Sequence, residues 1–124
     1  MSLRGHVRLR LLLDQDIALG PGKADLLEAI QRAGSISAAA KALEMSYRRA
    51  WLLVETMNSC FDLPLVKSAK GGSGGGGAEV TPEGLALLQA FRRMEREVTQ
   101  VVETHLPLFA QQARKPRRRP GAKS

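Results

Sequence analysis

The sequence predicts a mainly α-helical fold with a small β component, and three observations carry that expectation. Residues 34–51, GSISAAAKALEMSYRRAW, spell a short alanine-rich helix, a tight turn and a second helix capped by serine. The run KGGSGGGG at residues 70–77 lies between two short apolar segments and reads as the tip of a β-hairpin. An apolar repeat at Leu87, Phe91, Met94, Val98 and Val101 marks a long final helix. In chain order these give a strand pair, three helices, a glycine-tipped hairpin and a long helix. That is the order of a winged helix-turn-helix carrying an added C-terminal dimerisation helix.

The 124 residues leave room for one core. A hydrophobic share of 44% with 25% charged residues is that of a globular chain, and no apolar run nears the roughly 20 residues that cross a bilayer. No signal peptide is read at the N-terminus. One cysteine, Cys60, excludes an internal disulfide and points to a reducing cytoplasm; it is expected to be buried near the end of the third helix. The net charge is +7, but Arg114, Lys115, Arg117, Arg118, Arg119 and Lys123 supply six of those charges from the tail. The expected boundaries are a DNA-binding domain at residues 1–106, including a dimerisation helix at about 82–106. A basic, disordered tail follows at residues 107–124.

The first strand is expected at residues 7–13, where Val7, Leu9, Leu11 and Leu13 alternate with Arg8, Arg10 and Leu12. Residues 14–16 turn, and Ile17, Ala18 and Leu19 pair back. Pro21 opens a helix whose inner face is Leu26, Leu27 and Ile30, with Ala33 near its end, and Gly34 closes it. Ser35 or Ser37 caps a second helix at residues 37–43. Glu44 and Met45 bend the chain, Ser46 caps a third helix reaching about Phe61, and Pro64 stops it. Residues 65–69 and 78–81 form the hairpin, and Thr81-Pro82-Glu83 starts the long helix, which Pro107 interrupts.

The chemistry concentrates on the third helix. Ala38, Ala39, Ala40 and Ala42 let two helix backbones approach, and Ala50, Leu53 or Val54, and Met57 point inward. Ser46, Tyr47, Arg48, Arg49 and Leu52 are left outward. An arginine there can donate two hydrogen bonds to guanine O6 and N7, for about 1–3 kcal/mol of discrimination. Serine hydroxyls and free amides at the helix starts, Ser35, Ser37 and Ser46, can hold phosphates. Trp51 is expected to pack against the first strand or the long helix. In the hairpin, Lys67 and Lys70 add charge, and the amides of Gly72 and Gly74 can reach a DNA backbone. A nucleotide-binding loop is excluded, because Ala78-Glu79 stands where a lysine and a hydroxyl should open a helix.

The repeat at Leu87, Phe91, Met94, Val98 and Val101 is spaced four, three, four, three, with His105 next in register. It predicts a homodimer seam. A twofold dimer would present two recognition helices about one DNA turn apart and read an inverted-repeat operator in double-stranded DNA. No nucleophile–base pair and no metal-ligand spacing is found, so neither an enzyme, a metal site nor a cofactor is expected.

The residues GSISAAAKALEMSYRRAW, Met57-Asn58, Pro64-Leu65-Val66 and KGGSGGGGAEVTPEG closely resemble the N-terminal DNA-binding domain of ModE-type molybdate-responsive transcriptional regulators. The likeness covers residues 7–106. A looser likeness to LysR-type regulators lies in Pro64-Leu65-Val66 and Val80-Thr81-Pro82-Glu83-Gly84. The resemblance implies a dimeric winged helix-turn-helix that binds operator DNA through the helix starting Ser46-Tyr47-Arg48 and through the glycine wing. It implies a regulator of molybdate-transport or molybdenum-metabolism genes. The family senses molybdate through C-terminal modules, and this chain is expected to stand alone without them, so molybdate binding is not expected. Two alternatives are a basic nucleoid- or RNA-associated protein binding polyanions through its tail, and a direct oxyanion sensor holding molybdate between protomers.

Overall fold

A computed structural model describes residues 3–69 and 76–114. The elements in order are β1 (Leu11–Leu13), β2 (Asp16–Leu19), α1 (Pro21–Ala33), α2 (Ile36–Ala42), α3 (Tyr47–Ser59), β3 (Val66–Ala69), β4 (Gly77–Val80) and α4 (Pro82–Gln112). Each β pair is an antiparallel two-stranded sheet. Arg8–Met94 forms one compact unit. The described parts of Met1–Val7 and Glu95–Ser124 form a second.

The first unit holds the core. Leu26, Leu27 and Ile30 of α1 are buried against Ala39 and Ala40 of α2, Ala50, Val54 and Met57 of α3, and Leu88 and Phe91 of α4. Small residues dominate where α2 meets its neighbours, which is what close backbone approach demands. Gly34 closes α1 at φ 81°, where its amide donates to the Ile30 carbonyl, and Ser35 rather than Ser37 caps α2. Ala33, at the end of the expected inner face, is exposed.

Two side chains tie the β3–β4 wing to the helices. The Asn58 carboxamide oxygen accepts from the Leu65 and Val66 amides at 2.8 and 3.2 Å, and its nitrogen donates to the Val66 carbonyl at 2.9 Å. Thr81 Oγ1 donates to the Pro64 carbonyl at 2.7 Å and accepts from the Gly84 amide at 2.9 Å, so it caps α4 and closes the wing base together. Gly84 has no room for a Cβ, which would collide with the Leu65 carbonyl. Between helices, Arg92 of α4 grips Glu28 of α1 through Nε at 3.0 Å and a terminal nitrogen at 2.9 Å, and it reaches Asp25 at 2.7 Å.

Several expectations need correction. The first strand is confined to Leu11–Leu13, and its register on β2 shifts between Leu11 and Leu12. Leu13, expected inward, is exposed together with Leu12. The register passes from Leu11↔Leu19 to Leu12↔Ile17, so the extra residue, Ala18, stands on β2, and Leu13 lies opposite exposed Asp16 beside the turn. Helix α3 stops at Ser59, two residues early. Helix α4 runs through Pro107 to Gln112 rather than stopping at Leu106. Proline removes one backbone donor and strains one turn, yet Leu108 to Gln112 keep helical geometry. Of the expected tail, residues 115–124 lie outside the described residues. Cys60 is half-buried.

The dimer seam is corrected most. Phe91 is only 1% exposed and sits in the core of its own unit, and Leu87 packs on that core. Phe91 has no face to offer a partner, whereas Leu87 is half-buried and borders a surface cleft with Phe61, Leu63 and Ala86. A helix lying on its own domain repeats apolar residues at the same three- and four-residue steps as a coiled coil, so spacing cannot separate the two. Met94 and Val98 are half-buried, and Val101 is 59% exposed. In the second unit residues 3–7 lie near the distal part of α4, where a Cβ on Gly5 would collide with Val102.

Asn58→Ala should cost roughly 2–3 kcal/mol of unfolding free energy, because it strips partners from three backbone groups at the wing base; chemical denaturation measures this. The hydrogen bond from Arg92 holds the Glu28 carboxyl below the ordinary glutamate range, against a smaller upward push from burial. Its contribution to stability is therefore complete above the unfolded-state value and lost as pH falls through the lower folded value. Glu28→Gln should flatten the acid limb of the stability–pH curve and leave the alkaline limb unchanged.

Candidate nucleic-acid interface

The turn before α3 sets the site. Leu43 and Met45 donate amide hydrogen bonds to carbonyls of α2, and Glu44 between them adopts φ 58°. A non-glycine residue in that region costs about 1–2 kcal/mol, which the flanking bonds and the packing of Leu43 and Met45 on the core offset. Ser46 then takes extended geometry, and its Oγ accepts from the Arg49 amide at 3.0 Å. The cap fixes where α3 begins and hence which side chains face out.

Helix α3 divides by face. Ala50, Val54 and Met57 are buried, while Tyr47 is 55% and Trp51 42% exposed, and Arg48, Leu52 and Glu55 are exposed beside them. Tyr47, Trp51 and Glu55 stand one turn apart and border a cleft whose opposite wall is the wing, at Lys67, Ser68 and Gly77. Arg48 and Leu52 lie next on the outward surface. Arg49 is turned a further 100° or so, the angle per residue of an α-helix, and its charge is felt at Lys23 of α1. The two arginines therefore serve different flanks of α3.

The wing supplies the other wall. Lys67 is exposed directly opposite Glu79 in the antiparallel register, and Ser37 of α2 also lines the cleft. A Cβ on Gly77 would stand 2.9 Å from the Ala69 carbonyl, and the Ala78 amide donates to the Gly34 carbonyl at 2.9 Å, tying β4 to the end of α1. Ser35 is half-buried, with its hydroxyl engaged on the Ala38 amide at 3.0 Å. Lys70, Gly72 and Gly74 lie outside the described residues.

The structure thus brings Ser37, Ser46, Tyr47, Arg48 and Lys67 to one side of the unit and sets Arg49 beside it. Trp51, expected against the first strand or α4, stands on the cleft rim one turn after Tyr47 and is 42% exposed. Its four-residue spacing from Tyr47 was the available signal. Asn58, which holds the wing against α3, stands in the sequence within the Met57-Asn58 pair of the family resemblance, but its bonds to Leu65 and Val66 are not legible there. Chemically the surface offers an arginine fork, a carboxylate at Glu55 able to accept from a cytosine amino group, and aromatic edges suited to a thymine methyl or a sugar. Among the described residues, no group of three or more His, Cys, Asp or Glu is placed to hold a metal ion, and no helix is long and apolar enough to cross a membrane.

No family model matches the chain. It is 42% identical over 90 residues to the molybdenum transport protein ModE of Azotobacter vinelandii, covering 71% of this chain and 33% of that protein. It is 38% identical over 89 residues to the DNA-binding transcriptional dual regulator ModE of Escherichia coli K12, covering 72% and 34%. The chain thus spans about a third of the length of these curated relatives. Among solved structures it superposes on the CbnR DNA-binding domain in complex with DNA, with a TM-score of 0.54 at 21% identity over 70% of this chain and 94% of that one. It also superposes on the full-length LysR-type regulator LysG of Corynebacterium glutamicum, with a TM-score of 0.50 at 28% identity over 77% of this chain and 30% of that one. This chain carries a winged helix-turn-helix domain homologous to that of the ModE transcriptional regulators.

Proposed function

We propose that this chain binds double-stranded DNA sequence-specifically as a transcriptional regulator, acting on genes of molybdenum transport or metabolism. The observation that carries the reading is the outward stripe of α3, Tyr47, Arg48, Trp51, Leu52 and Glu55, set beside the wing across an open cleft. A helix of 13 residues with such a face fits a major groove. Arg48 reads a guanine edge, and Lys67 with the glycine tip follows the adjoining backbone. The names of the relatives, a molybdenum transport protein and a transcriptional regulator, support the class of genes. The place of action is the cytoplasm.

Pairing of two copies belongs to the same reading. With Phe91 taken by the core, the seam is the part of α4 beyond it: Met94, Val98 and Val101. Val101 is an exposed β-branched residue on a helix of 31 residues, which favours a partner helix there. Two domains joined in this way present two α3 helices to an inverted repeat.

Selection from random duplexes should recover a palindromic site, and Arg48→Ala should relax base choice at one position per half-site at a cost of about 1–3 kcal/mol. Equal weakening on every duplex would make that arginine a backbone contact, and selection without enrichment would remove the reading. Sedimentation should show a dimer at micromolar concentration that Val101→Asp converts to monomer; a monomeric parent chain would refute the pairing.

A further inference from the structure

Helix α3 carries one acidic residue, Glu55, among the basic Arg48 and Arg49 and two aromatic rings. It is exposed and lines the cleft, with Lys67 on the opposite wall. The ordinary reasons for a glutamate on a helix surface are missing. Three and four residues away stand Trp51, Leu52, Asn58 and Ser59, so no helical neighbour can form an ion pair with it. It lies in the third turn of α3, past the first turn where the helix dipole stabilises a carboxylate. Among the described residues neither Lys67 nor any other cation pairs with it, and no donor hydrogen-bonds its oxygens.

A free carboxylate on a face that meets DNA repels phosphates. It favours binding only where it finds a donor. In the major groove guanine N7 and O6 and thymine O4 are acceptors, and the donors are the amino groups of cytosine and adenine. Beside the adenine amino group lies N7, whose lone pair repels a carboxylate, whereas cytosine has only a C–H there. Helical geometry then places Glu55 relative to Arg48. Seven residues at 3.6 per turn come within about 20° of two full turns and advance about 10.5 Å. The two side chains therefore stand nearly in line on the outward side of α3, both exposed. At 3.4 Å per base step that advance is about three steps. Trp51 and Leu52 flank the line, exposed in the free protein and able to exclude water from it against bases.

We propose that Glu55 is a specificity-determining residue, accepting a hydrogen bond from the N4 amino group of a cytosine about three base steps from the guanine that Arg48 contacts. The assignment rests on α3 being the groove helix, as proposed above. It gives each half-site a second fixed pair, C·G, at a spacing set by the helix. The same carboxylate rejects guanine and thymine at that position, because it faces acceptors there.

The test is site selection from random duplexes with the full chain and with Glu55→Gln and Glu55→Ala, followed by affinities on the recovered operator and its single-base variants. The parent should enrich a C·G pair about three steps from the guanine whose preference Arg48→Ala relaxes. Replacing that pair should weaken the parent about tenfold. Glu55→Gln, whose amide both accepts and donates, should move the preference there to A·T. Glu55→Ala should remove it, and neither variant should alter the preference at the Arg48 position. Glu55 has no partner in the fold, so both variants should melt with the parent chain, and the isosteric glutamine keeps the test valid if the alanine does not. An unchanged base preference in the variants, with tighter binding to every duplex by one common factor, would place the carboxylate against phosphates and overturn the assignment. An operator with an Arg48-dependent guanine and no pair that responds to Glu55 would overturn this assignment alone. A parent chain that enriches no site would overturn it together with the reading of α3.

Discussion

The cleft between α3 and the wing depends first on Asn58. Its side chain closes three hydrogen bonds onto Leu65 and Val66 and so binds the start of β3 to the last turn of α3. Two short strands cannot hold a position in water by themselves. Without this clasp the wing would have no reason to stand beside Tyr47 and Trp51, and the cleft would have one wall. The carboxamide suits the task because it both accepts and donates, which a carboxylate or a hydrocarbon of the same size cannot do.

A second set of constraints closes the wing from behind. Thr81 bonds the Pro64 carbonyl and caps α4 with one hydroxyl, the Thr81 amide reaches the Leu65 carbonyl at 2.9 Å, and Gly84 lets that carbonyl approach the helix. The Ala78 amide meanwhile takes the Gly34 carbonyl at the end of α1. The wing is therefore held at its base by α3, α4 and the α1–α2 corner, so its orientation follows from the core. The arrangement leaves its polar face and the outward stripe of α3 uncommitted, with no core role to satisfy.

Charge is sorted by the same frame. Arg92 is spent inside the unit on Glu28 and Asp25, where two carboxylates satisfy its fork. Arg48, Arg49 and Lys67 are exposed to solvent on α3 and the wing. Arginine therefore does two kinds of work here, and the neighbouring residues decide which. In sequence Arg92 and Arg93 look as much like a surface pair as Arg48 and Arg49 do, because the partners of Arg92 stand more than sixty positions away.

Local chemistry along the chain determined much of this protein. Gly34 stops α1, serines cap α2 and α3, alanines mark the tight helix corner, glycines mark the hairpin, and the outward position of Tyr47, Arg48 and Leu52 follows from the Ser46 cap and the helical repeat. These are signals that neighbours in sequence exert on one another. Tertiary structure decided the rest. It buried Phe91 in its own core, left Leu13 exposed at the turn end of β1, carried α4 through Pro107, and placed Trp51 on the cleft rim. The physical reason is common to all of these. A periodic pattern states which face of an element is apolar or charged, but only packing against distant segments states what that face meets.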